Sequence, residues 1–243
     1  MTGKIGALVL HGFTSSLDTV NGLAPHLEAA QIPYRMPYLR GHGKTPDALR
    51  GVKYRDWVED ATSALTELQA ESDEAVVVAL SMGALVAMTL AVERPERLAG
   101  LVLVAPYLVA ADPLAPFAPL LAPFIKAFPS PKPPRTESYV CTNYTWFPTE
   151  AFVQVYRFQQ EVGTRLGHLK LPILILAAEN DKVAHARGPR TIYEQAASAD
   201  KRIKWFGKSG HEMMQGCEKD EVFADIMGFI KTRSGAPEGA ATV

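Results

Sequence analysis

Residues 75–85 read Ala-Val-Val-Val-Ala-Leu-Ser-Met-Gly-Ala-Leu, with the serine at position 81. The apolar run Ala75–Leu80 has the length and β-branched content of a strand buried on both faces. It ends at Ser81 and continues as Met82–Val92, apolar nearly all round, the pattern of a helix pressed against a sheet. Strand, serine, helix is the context of a nucleophile elbow. There a sharp, strained turn lifts the serine Oγ above the sheet edge. Strand and helix approach closely at such a turn, so the residues two before and two after the serine must be small. Gly83 meets this demand; Ala79 adds one methyl where glycine is usual. The plain alternative for Ser81 is a helix N-cap.

Working outward, short apolar runs at Ile5–Leu10, Leu101–Ala105 and Ile173–Ala177 predict further buried strands, with weaker ones at Tyr34–Tyr38 and Ile203–Phe206. Helical patterns lie between them. Asp56–Gln69 places Trp57, Val58, Ala61, Leu65 and Leu68 on one face, and Thr191–Ala197 and Asp220–Ile230 complete the set. Strands alternating with helices predict an α/β fold, a mostly parallel central sheet flanked by helices on both faces. Residues 107–168 break the alternation. No strand-like run stands out there, yet the segment holds 11 of the chain's 21 aromatic residues, and ten of the 18 prolines lie between Pro106 and Pro148. A disordered linker is poor in aromatics, so this predicts a small helical insertion that prolines divide into short pieces. The expected division is a core of residues 1–106 and 169–233, a cap of residues 107–168, and a disordered tail of residues 234–243. A second piece of ordinary core is the plainer reading of the insertion.

A serine hydroxyl needs a base, and the base needs an orienting acid. The strand at Ile173–Ala177 runs into Ala178-Glu179-Asn180-Asp181, and the strand at Ile203–Phe206 runs into Gly207-Lys208-Ser209-Gly210-His211. Both groups follow the carboxyl ends of strands, where open α/β sheets place their sites. Serine, acid, histidine is also the chain order that the elbow context predicts. Ser81, Asp181 and His211 are therefore the candidate catalytic residues, with Glu179 as the rival acid. An oxyanion hole needs two backbone N–H donors. Met82 follows the serine directly, and Phe13 follows Gly12 in the loop after the first strand.

These residues, with Gly41-His42-Gly43, the Trp57 helix and the stretch from Ile203-Lys204-Trp205-Phe206 to Ser209-Gly210-His211, resemble the small bacterial carboxylesterases and monoacylglycerol-lipase-like members of the α/β-hydrolase superfamily. The resemblance spans nearly the whole chain. It implies Ser81 as nucleophile, Asp181 as acid, His211 as base, and Phe13 and Met82 as oxyanion donors. Ala79 departs from the family's elbow glycine, and the superfamily's two leading strands have no room before Ile5. The implied activity is cleavage of carboxylic esters, with short-to-medium acyl chains or monoacylglycerols, through an acyl-enzyme and without metal or organic cofactor. The cap residues Phe117, Phe124, Phe128, Trp146 and Phe147 are candidates for an acyl pocket wall. Amide, thioester or carbon–carbon cleavage by the same three residues stays open, as does a slow-turnover ligand receptor, because fold does not dictate chemistry.

Composition is ordinary for a soluble globular protein with a sizeable core. The 243 residues are 47% hydrophobic and 21% charged, with a formal net charge of −1, so no nucleic-acid footprint is implied. No apolar run approaches the ~18 residues of a membrane helix, and neither a secretory leader nor stable membrane anchoring is expected. Cys141 and Cys217 lack metal-type spacing and read as free thiols in the cytoplasm, with a disulfide left open. Oligomeric state leaves no mark on the sequence. His11 and His42 are expected to shape loops; His26, His168 and His185 are expected outside the site.

Overall fold

The computed structural model describes residues 4–130 and 143–234; Cys141 and residues 235–243 of the expected tail lie outside the described residues. Among the described residues there are eight strands: β1 (Ile5–Leu10), β2 (Tyr34–Arg35), β3 (Glu74–Leu80), β4 (Leu98–Val104), β5 (Ala127–Pro129), β6 (Trp146–Pro148), β7 (Ile173–Ala178) and β8 (Lys201–Phe206). Six of them form one sheet in the order β2-β1-β3-β4-β7-β8, with every neighbouring pair parallel. The α-helices are α1 (Ala24–Ala29), α2 (Tyr54–Leu68), α3 (Gly83–Glu93), α4 (Ala118–Leu121), α5 (Thr149–Arg165), α6 (Arg187–Gln195) and α7 (Lys219–Arg233).

Alternation of side chains along each strand divides the core in two. Leu8, Leu10, Val77, Ala79, Leu101, Leu103 and Ile175 join α2, α3 and α5 on one face. Ala7, Val9, Val76, Val78, Val102, Val104 and Leu176 meet Leu27 of α1 and Val222, Phe223, Ile226 and Ile230 of α7 on the other. Burial on both faces is why the central strands read as continuous apolar runs. The edges differ: β2 has only two residues, and β8 carries Lys201, Arg202 and Lys204. A short edge and a charged edge both discourage pairing with other chains. At the sheet centre Ile5–Leu10 is found as expected and Ala75–Leu80 and Ile173–Ala177 within one residue, whereas the strand expected at Leu101–Ala105 runs from Leu98 to Val104. At the edge, the expected run to Tyr38 shortens to Tyr34–Arg35 because only those residues pair with β1.

The insertion needs a correction: it is not wholly helical. Between α4 and α5, β5 and β6 form an antiparallel ribbon in which Phe128 pairs with Phe147. Three-residue strands ending in proline are too short to show periodicity, and proline cannot extend the ladder. The end of the insertion belongs to the core, since Val155, Phe158 and Val162 of α5 share the cluster that holds α2 and α3. Arg55, Glu93, Glu161 and Arg165 tie these three helices at their exposed rims, with Arg55–Glu93 at 2.8 Å and Arg165–Glu93 at 3.0 Å. Pairs this exposed contribute about 0–1 kcal/mol each, so apolar contact carries the packing. No helix among the described residues is long and apolar enough to cross a membrane.

Candidate active site

Because all six strands are parallel, the loops leaving β1, β3, β7 and β8 emerge at one edge of the sheet. The chain places β2 on one side of β1 and β3 on the other. That switch point opens the crevice in which open α/β sheets bind ligands. The loop after β3 is the elbow. Ser81 takes φ 56°, a left-handed conformation costing about 1–3 kcal/mol for a residue other than glycine. Its N–H donates to the Val104 carbonyl (2.9 Å), and its carbonyl accepts from Tyr107 N–H (3.2 Å). Close approach explains Gly83: a Cβ there would stand 2.7 Å from the His11 carbonyl oxygen and 2.9 Å from that of Leu10. Ala79 is fully buried in β3, paired with Leu10 and Leu103, so its methyl is absorbed by the core.

Ser81 Oγ lies 2.8 Å from His211 Nε2, and His211 Nδ1 lies 2.8 Å from Asp181 Oδ2. One tautomer satisfies both: Nδ1–H donates to the carboxylate, and Nε2 accepts from the serine hydroxyl. The other oxygen, Asp181 Oδ1, accepts from the N–H groups of Val183 and Ala184, both at 2.8 Å. This turn is also clamped from outside, as Ala111 N–H reaches the Val183 carbonyl and His185 N–H the Val109 carbonyl. Asp181 therefore has little freedom to turn away. Burial alone would push the His211 imidazole down, but the hydrogen bond and charge of Asp181, helped by the charge of Glu212, hold it above the ordinary histidine value. Glu179 is exposed, two residues before the turn, and makes no contact with the imidazole among the described residues.

The loop after β1 supplies the other wall. His11 is fully buried, with Nδ1–H donating to the Gly12 carbonyl (2.8 Å) and Nε2 accepting from Leu39 N–H (3.1 Å). Burial depresses it to about 4, only partly offset by the Gly12 bond, so it stays neutral near pH 7. Holding the Gly12 carbonyl matters, because a planar trans peptide points its N–H the opposite way. That N–H belongs to Phe13. Neither Phe13 nor Met82 donates its N–H to a protein acceptor among the described residues. Gly12 also lies directly against the serine, where a Cβ would stand 3.1 Å from Ser81 Cβ and 3.5 Å from its Oγ. His42 packs on His11 with ring centroids 4.9 Å apart. Burial, then the neighbouring His11, lower it to about 3, against the opposing carbonyls of Leu39 and Arg40.

Two residues with no motif around them complete the walls. Tyr107 sets its ring edge-on to His211 at 6.4 Å, and its carbonyl accepts from the buried Gln159 amide. Tyr144 donates its N–H to the Thr14 carbonyl, and its hydroxyl bridges the Gly41 carbonyl and Lys44 N–H, each at 2.9 Å. The bridge ties the returning insertion to both site loops. Only aromatic enrichment hinted at either residue. Of the expected pocket residues, Phe147 is buried with its ring 5.3 Å from that of Phe13, and half-buried Phe128 and Phe152 adjoin it. Trp146 is half-buried beside them in the ribbon. Phe117 and Phe124 do not fit that expectation: they are 51% and 84% exposed and face outward.

The sequence profile of the serine aminopeptidase, S33 family matches residues 6–147 and 142–220. The chain belongs to this family. Across its length this S33-family member is similar to a carboxylesterase from Bacillus subtilis (strain 168), 24% identical over 94% of the chain and 93% of that protein. It is also similar to a thermostable monoacylglycerol lipase from Bacillus sp. (strain H-257), 26% identical over 96% of the chain and 93% of that protein. Among solved structures, one described with the metagenome-derived lipolytic enzymes LipS and LipT superposes with a TM-score of 0.89 at 25% identity, covering 96% of this chain and 95% of that one. The fold is that of the α/β-hydrolases, as expected, and the protein is a hydrolytic enzyme similar to carboxylesterases and monoacylglycerol lipases.

Proposed function

We propose that this enzyme hydrolyses carboxylic esters of short-to-medium acyl chains, monoacylglycerols among them, through an acyl-enzyme on Ser81. The observation that carries the reading is the unbroken relay from Ser81 Oγ through His211 to Asp181, both bonds at 2.8 Å. In the first step His211 Nε2 takes the serine proton as Oγ bonds to the ester carbonyl carbon, and the carbonyl oxygen becomes negative. The N–H groups of Phe13 and Met82 stabilise that oxyanion; one such donor is worth about 10²–10³ in kcat. As the carbon–oxygen bond breaks, the imidazolium returns its proton to the departing alcohol, leaving the acyl group on Ser81. Water then repeats the sequence, giving its proton to His211, and releases the carboxylic acid and the free serine. Asp181 holds the imidazole in the required tautomer and stabilises its cation. The chemistry uses protein groups alone.

The acyl chain is assigned to the apolar wall of Phe13, Phe128, Phe147 and Phe152, the inner part of a cap formed by the insertion. Each buried methylene contributes about 0.8 kcal/mol, so kcat/KM should climb from acetyl towards butyryl–octanoyl esters and then fall. A fluorophosphonate should label the wild type at Ser81 alone. Ser81→Ala should fold normally and lose about 10⁵–10⁶ in kcat. An adduct mapped to Ser15, Ser16 or Ser209 instead would contradict the reading.

A further inference from the structure

The two N–H groups assigned to the oxyanion each lie next to a strained residue. Met82 follows Ser81, held at φ 56°, and Phe13 precedes Thr14, held at φ 62°. Thr14 is the third residue of a turn over residues 12–15, which the Ser15 N–H closes on the Gly12 carbonyl at 3.4 Å. A type II turn puts positive φ at that place and ordinarily fills it with glycine or asparagine. For a β-branched residue such as threonine, the left-handed conformation is a genuine outlier. One hydrogen bond beyond the usual 2.7–3.2 Å range is a weak closure, so other contacts have to keep Thr14 there.

Both strained residues are held in the same way. Each carbonyl accepts the N–H of a tyrosine from the insertion: Ser81 from Tyr107 at 3.2 Å, where the insertion starts, and Thr14 from Tyr144 at 2.9 Å, where it returns. Tyr144 is itself anchored, its hydroxyl donating to the Gly41 carbonyl and accepting from Lys44 N–H, each at 2.9 Å. Those bonds flank His42, whose ring lies parallel to that of Tyr144 at 6.4 Å and packs on His11 at 4.9 Å. His11 in turn donates to the Gly12 carbonyl. Phe13 is therefore bracketed by one side chain and its backbone. Tyr144 reaches Thr14, after it, by a hydrogen bond, and Gly12, before it, through His42 and His11.

Resting on the esterase reading above, we infer that Tyr144 is a positioning residue for the oxyanion hole: its N–H holds Thr14 in the left-handed conformation that aims the Phe13 N–H at the substrate oxygen. The insertion thus serves the chemistry as well as walling the acyl chain. Once the hold is lost, Thr14 relaxes to negative φ and the peptide carrying the Phe13 N–H turns away. Substrate binding is spared, because the negative oxygen exists only in the transition state.

The test places Tyr144→Phe in three backgrounds: the wild type, Thr14→Gly and Thr14→Val. Phenylalanine keeps the ring against His42 and removes only the anchoring hydroxyl. The substrate is ethyl butyrate, whose poor leaving group keeps acylation rate-limiting, so that KM reports binding. In the wild-type background kcat should fall about 10–10²-fold, the scale of a misplaced catalytic group, with KM changed less than about 2-fold. Glycine takes positive φ without strain, so the Thr14→Gly turn needs no clamp and Tyr144→Phe should cost it less than about 3-fold. Valine keeps the branched Cβ and should preserve the full loss. Equal losses in the wild-type and glycine backgrounds overturn the inference, since a merely structural role would act alike in both. Rescue by valine overturns it too, as does a loss expressed in KM. Crystal structures of Tyr144→Phe and Thr14→Gly/Tyr144→Phe read the turn without turnover. Residue 14 should leave the left-handed region in the first and keep it in the second; a turn unmoved in the first overturns the clamp. If the wild type cleaves no ester, the esterase reading fails, and the two crystal structures still decide whether Tyr144 holds Thr14.

Discussion

The four loops at the sheet edge and the outer part of the insertion lie close in the chain's architecture but are built on opposite principles. In the loops, polar atoms are committed. Both Asp181 oxygens, both His211 nitrogens and both His11 nitrogens have partners, and Gly83 sits where no side chain fits. From Leu114 to Phe124, by contrast, Leu114, Phe117, Leu120 and Phe124 point into solvent and the stretch carries no charge. Over-determination is what holds a strained serine and a raised imidazole in place. The outer insertion answers to no such constraint, so its side chains can change at little cost to the fold.

After loss of the nucleophile itself, the largest expected effect probes that commitment at its deepest point. Asp181→Asn should lower kcat about 10⁴-fold, the scale of losing the tautomer-setting carboxylate, while Glu179→Gln should stay within a few-fold. Only neutral imidazole accepts the serine proton, and Asp181 holds His211 above the ordinary value of ~6.5. In the wild type, kcat/KM should therefore rise with pH through a midpoint above that value. Residual activity of Asp181→Asn should have its midpoint at lower pH, since burial then acts on the imidazole without its counter-charge. A wild-type midpoint well below 6, or a Glu179 variant as damaged as the Asp181 one, would contradict the geometry.

A smaller effect separates two glycines within the same loops. Gly12→Ala should lower kcat by about 10², the scale of a displaced reacting group. The new methyl would press on Ser81 from 3.1 Å while the rest of the loop stays in place. Thermal stability should barely change. Gly83→Ala meets two carbonyl oxygens of the backbone that cannot move aside, so it should cost about 1–3 kcal/mol of stability as well as activity. Denaturant titration beside kinetics distinguishes them, and equal destabilisation by both substitutions would remove the distinction.

The same contrast explains what could be read from the residues alone. The meeting of Ser81, Asp181 and His211 was legible because each follows a strand, and a parallel sheet brings all such exits to one edge. Phe13 and Met82 could be named as candidate donors because Gly12 and Ser81 announce their turns. Tyr107 and Tyr144 were not, since their places arise from contacts 26 and 103 positions away, with the Ser81 carbonyl and the Gly41 carbonyl. The β5–β6 ribbon was hidden by its length. Phe117 and Phe124 were misread for a different reason: composition shows that an insertion is aromatic but not which side of a short helix faces inward. Two helical turns broken by Pro116, Pro119 and Pro123 carry no usable period.

The smallest expected effect lies at that misreading, and it compares Phe124 with Phe147. Phe147 is buried between Phe13, Phe128 and Phe152, so Phe147→Ala removes a ring from a packed cluster. Truncating a core phenylalanine costs about 3–5 kcal/mol; lying at the rim of this cluster, Phe147 should fall at or below the lower figure. The loss should also move the preferred acyl length, because the vacated space adjoins Phe13. Phe124 is 84% exposed, and its ring lacks aromatic neighbours among the described residues. Phe124→Ser should alter stability by no more than about 0.5 kcal/mol, the range of surface changes, and should leave the acyl-length profile of soluble esters as it was. One property should still respond: an exposed patch of large apolar side chains binds apolar dyes, so anilinonaphthalene sulfonate fluorescence should drop in Phe124→Ser and further in Leu120→Ser/Phe124→Ser. If Phe124→Ser instead shifts the acyl optimum as far as Phe147→Ala does, the outer face folds over bound substrate. The contrast between committed loops and an uncommitted surface would then hold only for the enzyme at rest.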